Sequence, residues 1–359
     1  MSYDDFKKKV YSYLIKYKKE DLGIVEKGVS SHGVEHDCLF PKPYCDEKLP
    51  SMLYAGIKPV VKDIQASSFA YKPHLAASSH VASSQTACIN LFVPILESNK
   101  ADQILIESGI APKGFAHIDR EQLRKGYCFE YWESSLKGSK GLLGDHSPHA
   151  GTDADVAIAY RDKDNKLCLW LIEHKLTEQE FSTCGGYRSK GISESEKINC
   201  TTCSMIDLLN DHKKCYYHKH CGYYYWNIMD AQSTFFNGNY DGTGCPFRGG
   251  MNQLWRNQMM ALELEHCAAF ADVFFSVVTH PENTFLDNTM NEFRELTKNF
   301  HKFFDFKSDS LVNAAVKYLP DWTNWYKKVY YGMEWNRIDY TDTHDNGSHI
   351  HSNTFRRRG

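Results

Sequence analysis

Gly151-Thr-Asp-Ala-Asp-Val-Ala-Ile-Ala-Tyr160 and Leu167-Cys-Leu-Trp-Leu-Ile-Glu-His-Lys175, separated by Arg161-Asp-Lys-Asp-Asn-Lys166, decide how this chain folds. Val156 to Tyr160 is a short apolar run with a β-branched start, and the charged stretch after it reads as a turn. Leu167 to Ile172 is apolar without alternation, which predicts a strand covered on both faces. Side chains alternate across a strand, so Glu173 and Lys175 share one face and His174 takes the other. Paired as a hairpin, the strands bring Asp155, at the start of one, beside Glu173, at the end of the other. Two carboxylates and an ammonium group then meet at one spot.

Those residue types suit a hard divalent cation. Mg²⁺ (or Mn²⁺) takes oxygen ligands and is often held by one or two carboxylates plus water and phosphate. Asp155 and Glu173 are the expected ligands, with the backbone carbonyl of His174 as a third. Lys175 is expected to position an attacking water or to stabilise charge growing on a phosphate. Asp153 lies two residues upstream and competes with Asp155 as first ligand; Asp155 is preferred because it abuts the apolar run. A Glu-x-Lys at a strand end is also a common solvated ion pair, worth about 0–1 kcal/mol. The motif therefore gains its weight from what surrounds it.

Ser83 to Glu97 opens with capping serines and carries apolar residues at helical spacing. Gly126 to Glu133 mixes aromatic and acidic residues as a strand does. Gly250 to Glu265 holds strong helix formers after a glycine pair, and Val273 to Val278 reads as a buried strand. The order is helix, strand, strand, strand, helix, strand. It predicts an α/β fold, a mixed sheet flanked by helices, carrying a Cys-rich insertion over 184–245.

This arrangement resembles the PD-(D/E)xK nuclease superfamily. The first motif acid falls on Asp155 and the second half of the motif on Glu173 and Lys175, while Ala154 stands where the superfamily places proline. Ser83-Ser84-Gln85 leading to Asn90-Leu-Phe-Val-Pro94, and Cys245-Pro-Phe-Arg-Gly-Gly250 leading to Gln253-Leu-Trp-Arg-Asn257, resemble a bacterial restriction-endonuclease-like family over roughly residues 80 to 280. The resemblance implies a restriction-endonuclease-like core and Mg²⁺-dependent hydrolysis of DNA phosphodiester bonds, of the restriction or host-defence kind. It also implies Gln253 near the active site and an extra acid from Glu130 or Glu97. Two rivals stand beside it: a repair or recombination nuclease of the same fold, and a noncatalytic zinc-containing nucleic-acid-binding protein.

The insertion holds Cys184, Cys200, Cys203, Cys215, Cys221 and Cys245, with His212, His218 and His220 nearby. Cys200-Thr-Thr-Cys203 has the gap that lets two thiolates chelate one metal, and a pair from Cys215, Cys221 or Cys245 would complete a four-ligand site. Zinc suits this spacing. An iron–sulfur cluster is implied by the resemblance, since related CRISPR-associated and recombination nucleases carry one. The plain alternative is free thiols buried as small hydrophobes. Cys38 and Cys45 near His32 and His36 offer a lesser, separate site. Tyr216, Tyr217, Tyr223, Tyr224, Tyr225 and Trp226 offer stacking surfaces for bases, or else core packing.

The chain has 359 residues, 42% hydrophobic and 24% charged, as in ordinary globular proteins. No apolar run reaches about 18 residues, so no membrane span is expected, and the N-terminus lacks a signal-peptide pattern. A cytoplasmic protein is expected, in which twelve cysteines favour metal binding over crosslinking. The net charge of −3 gives no global attraction for DNA, so contact would need a locally basic cleft. Residues 1–80 read as a helical addition, 81–280 as the core and 281–340 as a helical extension. In that extension Phe293, Phe300, Phe303 and Phe304 form an apolar stripe. Residues 341–359 read as a disordered tail. A homodimer is expected if both DNA strands are cut.

Overall fold

The two apolar runs form the central hairpin of a six-stranded sheet. The computed structural model describes residues 1–333 except 47, 134–139, 148–150, 233–234, 237–239, 241 and 299–300, so the expected disordered tail and Phe300 lie outside the described residues. In chain order the elements used below are α1 (Tyr3–Lys16), α2 (Ser84–Leu96), β1 (Phe115–Ile118), β2 (Tyr127–Tyr131), β3 (Ala154–Asp162), β4 (Leu167–Lys175), α3 (Met251–His266), β5 (Asp272–Thr279), β6 (Phe303–Lys307) and α4 (Pro320–Tyr331).

Strands β3 and β4 pair antiparallel, with Val156 opposite Ile172 and Arg161 opposite Leu167. Strands β1 and β2 lie end to end along the other edge of β3, both antiparallel to it. Beyond β4 the sheet turns parallel, β4 to β5 and β5 to β6. A parallel neighbour needs a crossover connection, and here the long segment after β4, ending in α3, supplies it.

The absence of alternation in β4 has its expected cause. Cys168, Trp170 and Ile172 enter one core, with α2 and α4, while Leu169 and Leu171 enter a second one, with α3 and the segment before it. Helix α2 departs from a one-sided amphipathic reading: every residue from Gln85 to Leu96 is buried. Its outer side is covered because α1 (Phe6, Val10, Leu14) and α4 (Tyr326, Val329, Tyr330) belong to the same core. Asn90 is tolerated there because its amide bonds are met, Nδ2 donating to the Met52 carbonyl and the Tyr330 hydroxyl and Oδ1 accepting from Tyr54 N–H.

Two strands of this sheet were not foreseen. Phe115–Ile118 pairs with the far half of β3, and Phe303–Lys307 extends the parallel edge. The second corrects the helical stripe expected after residue 281. Phe293 does lie on a helix, Asp287–Glu295, but Phe303 and Phe304 belong to β6. Aromatic residues close in sequence fit a strand as well as a helix, and Phe303 gains more by packing on Phe275 of β5, their ring centres 5.5 Å apart.

Candidate active site

The hairpin places the three motif residues together at the end of β3 and β4. Lys175 Nζ sits 2.8 Å from Glu173 Oε1, as their shared strand face requires. Asp155 Oδ2 accepts the His174 backbone N–H at 2.6 Å. Both lie in an open cleft of about 400 Å³ that Glu130, Asp153, Gln85, Gln253 and Arg256 also line.

Glu173 is the most tightly held of these groups. Only 3% exposed, it accepts Gln253 Nε2 at 2.6 Å and Asn257 Nδ2 at 3.0 Å in addition to its contact with Lys175. The structure thus brings Gln253 onto Glu173. Asn257 was missed, although the signal was present: it lies one helical turn beyond Gln253 and shares its face.

Glu130 occupies the neighbouring strand and reaches the same cleft. Its backbone has φ +49°, a left-handed conformation rare for a residue with a side chain. The consequence is a broken pleat: Tyr127 and Phe129 enter one core, whereas Cys128 and Tyr131 both enter the other. Its Oε1 accepts Gln85 Nε2 at 2.8 Å and its Oε2 lies 3.7 Å from His74 Nε2. Glu97, the other candidate for an extra acid, is not at the cleft. It caps the C-terminal end of α2, about 20 Å along the helix axis from Gln85 by the rise per residue. There it takes Arg124 NH1 at 2.7 Å and the Tyr127 hydroxyl at 2.6 Å. It belongs to a structural ion network.

Charge in the cleft is unbalanced. Burial raises the Asp155 carboxyl pKa well above the usual range, helped by the nearby charges of Glu173 and Glu130. Burial and then Asp153 push Glu130 up to about 8, and burial and Glu173 raise Asp153. Both aspartates competing for the first-ligand role thus belong to one acidic group. Burial works against the Lys175 ammonium, but Glu173 above all keeps it charged and raises its pKa. His174 points to the other face, where burial holds its imidazole neutral, its pKa lowered to about 3. Its backbone carbonyl, expected as a ligand, accepts the Ser84 hydroxyl at 3.0 Å.

Among the described residues, no group of three or more His, Cys, Asp or Glu side chains is already gathered so as to hold a metal ion.

The six candidate cysteines of the insertion divide into two groups. Cys184, Cys200, Cys215 and Cys245 line one cavity, whereas Cys203 and Cys221 do not. The Cys200–Cys203 pair is split because Cys203 ends the helix Glu194–Thr202 and turns toward Asn199, Sγ to Oδ1 3.7 Å. Cys45 likewise spends its thiol on the carbonyls of Phe40 and Pro41. Of the expected stacking aromatics, Tyr225 and Trp226 are buried in the second core, and Tyr217 and Tyr223 pack against it.

Among the described residues no helix is long and apolar enough to cross a membrane. A family model described as restriction endonuclease associating with ARP matches residues 16–331. No curated protein and no solved structure matches the chain.

Proposed function

We propose that this chain, which belongs to the family of restriction endonucleases associating with ARP, is a metal-dependent endodeoxyribonuclease that hydrolyses DNA phosphodiester bonds. On this reading α2, β2, β3, β4, α3 and β5 make up the helix, three strands, helix and strand of a restriction-endonuclease-like core, and residues 184–245 are an insertion into it. The observation that carries the reading is the cleft itself. Asp155 and Glu173 converge from adjacent strands, two further acids lie beside them, and one lysine is fixed at 2.8 Å from Glu173.

The donor set fits Mg²⁺ or Mn²⁺: hard oxygens, more carboxyl groups than cations, and acids whose ionisation burial and neighbouring acids disfavour until a cation is present. Asp155 and Glu173 would hold the ion, with the His174 carbonyl or Asp153 as further oxygens. Bound there, the ion supplies a water of lowered pKa and neutralises charge on the scissile phosphate.

The chain's own groups do the positioning. Gln253 and Asn257 fix both oxygens of Glu173, so its orientation is set before substrate arrives. Lys175 stays an ammonium because Glu173 stabilises the charged form. It therefore acts as a cation facing the phosphate rather than as a base. Arg256 lies at the cleft wall, 3.0 Å from the Thr152 hydroxyl and 3.9 Å from Asp145 Oδ2, with which it shares its charge.

The test is direct. Supercoiled plasmid incubated with the protein and Mg²⁺ or Mn²⁺ becomes nicked or linear; Lys175→Met and Asp155→Asn abolish this while gel-shift binding of the same DNA persists. Intact plasmid with wild-type protein in both metals, together with persistent binding, would favour the noncatalytic nucleic-acid-binding reading instead.

A further inference from the structure

Four separate segments bring one cysteine each to a single buried cavity, lined by Cys184, Cys200, Cys215 and Cys245. The convergence is built into the backbone. Cys184 N–H bonds to the Arg248 carbonyl at 3.3 Å, and Cys245 N–H to the Cys200 carbonyl at 2.9 Å. Gly244 makes the second approach possible: its φ is +85°, and a Cβ there would strike the Cys200 and Thr201 carbonyls at 2.7 and 3.0 Å.

The cavity wall carries donors without acceptors. The indole N–H of Trp255 and the amide Nδ2 of Asn252 are buried with no hydrogen-bond partner among the described residues, and the Trp226 indole N–H faces the Cys215 sulfur. Their residues are 2%, 3% and 1% exposed, and all three line this cavity. Buried polar groups are normally satisfied, so each orphan needs an explanation. Backbone amides point at the sulfurs as well: Tyr187 and Gly186 toward Cys184, His218 and Tyr217 toward Cys215, Phe247 toward Cys245. Arg248 and Lys214 add positive charge to the wall.

We infer that Cys184, Cys200, Cys215 and Cys245 ligate an iron–sulfur cluster, whose sulfides accept the hydrogen bonds that Trp255 and Asn252 leave unmade. A single zinc ion fits less well. Zn–S bonds of about 2.3 Å draw four tetrahedral sulfurs to about 3.8 Å of one another, and among the described residues no three potential ligands are gathered about one ion. A cluster spreads its thiolates over several irons. It also adds acceptor sulfides, which a zinc ion does not. Transfer of a preassembled cluster exchanges its four Fe–S bonds to the donor's thiolates for four to these cysteines, the four thiol protons pass to the released donor thiolates, and no electron moves.

The inference is independent of the nuclease reading, yet the two sites share α3. Asn252 and Trp255 face the cavity while Gln253 and Asn257 hold Glu173. The cluster would pin the helix that orients the carboxylate.

The experiment uses the whole protein, expressed with ample iron and purified without oxygen, and measures iron, acid-labile sulfide and zinc together with the visible spectrum. Iron and sulfide in equal amounts, with a broad visible absorption bleached by dithionite, are expected. Serine at any of the four positions should remove the iron, whereas Cys203→Ser and Cys221→Ser keep it. Wild-type protein holding stoichiometric zinc in place of iron, or neither metal, overturns the inference without recourse to any variant. So does iron lost on changing Cys203 or Cys221 but retained on changing the four.

Discussion

Replacing Asn257 by alanine tests the argument about Glu173 without any assumption about metal. The Glu173 carboxylate is buried, and its Oε2 is served by Asn257 Nδ2 at 3.0 Å while Oε1 takes Gln253 and Lys175. A hydrogen bond to a charged group contributes about 1.5–3 kcal/mol, and a buried charge left partly unmet loses all of it. Alanine's better helix propensity returns at most about 0.7 kcal/mol. A net cost on the order of 1–2 kcal/mol follows. At roughly 2–4 °C per kcal/mol for a domain of this size, the melting temperature in chelator should fall by roughly 2–8 °C. The decisive measurement is a double-mutant cycle with Glu173→Gln. A neutral amide makes the Asn257 bond worth only about 0.5–1.5 kcal/mol, so the cycle should show a coupling of about 1 kcal/mol. Costs that add within about 0.5 kcal/mol, or an Asn257→Ala protein melting like wild type, would refute the idea that α3 clamps this carboxylate.

Three further outcomes follow from other parts of the molecule. Lys18, fully buried, donates to the carbonyls of Glu26, Asp37 and Leu39; Lys18→Met should cost on the order of 3 kcal/mol and speed protease cleavage within residues 22–40, and unchanged cleavage would count against that pinning. His280 is buried and neutral, with Nε2 on the Tyr330 carbonyl and Nδ1 on Glu282 N–H, and burial lowers its pKa to about 4. A depressed pKa contributes stability that is present above the free value near 6.5 and lost as pH falls toward 4, about 2 kcal/mol by pH 5; His280→Gln should flatten urea midpoints over that window, and an equally steep fall in the variant would exclude this histidine as the source. Glu97→Gln should lower the melting temperature by breaking the Arg124 and Tyr127 contacts yet leave plasmid cleavage unchanged, and lost cleavage in a stably folded variant would return Glu97 to the active site.

The sequence made the central hairpin legible because two constraints coincide there. A strand buried on both faces admits no polar alternation, and the period of two sends Glu173 and Lys175 to the same side whatever the rest of the chain does. Asp155 then follows from the antiparallel register. Gln253 came from resemblance, and Asn257 would have come from carrying its helix face one turn further. What stayed hidden depended on tertiary context. Nothing local told that α2 would be enclosed on all sides, since α1 and α4 that enclose it come from the two ends of the chain. The strand at Phe303 competes with a helix on equal local terms until β5 offers it an edge. The cysteines were legible only as a group of six for a related reason: the closest pair in sequence, Cys200 and Cys203, drew notice, while the four that line one cavity are spread over 184–245, and the Cys245–Cys200 backbone bond is one no spacing rule encodes.

Glu130 gives the strongest reason to regard the cleft as more than a surface depression. A left-handed backbone at a residue with a side chain costs on the order of 1–3 kcal/mol and persists only where the surroundings enforce it. Here it reverses the pleat of β2, and the carboxyl lines a cleft already holding Asp153, Asp155 and Glu173, where burial and like charge make ionisation unfavourable. A chain selected for stability alone would avoid both penalties, for instance by an apolar residue in extended conformation. Local strain and crowded acids thus act at the same place and in the same direction, against folding. They make physical sense together if the acids meet a cation at work, which would turn their mutual repulsion into binding energy.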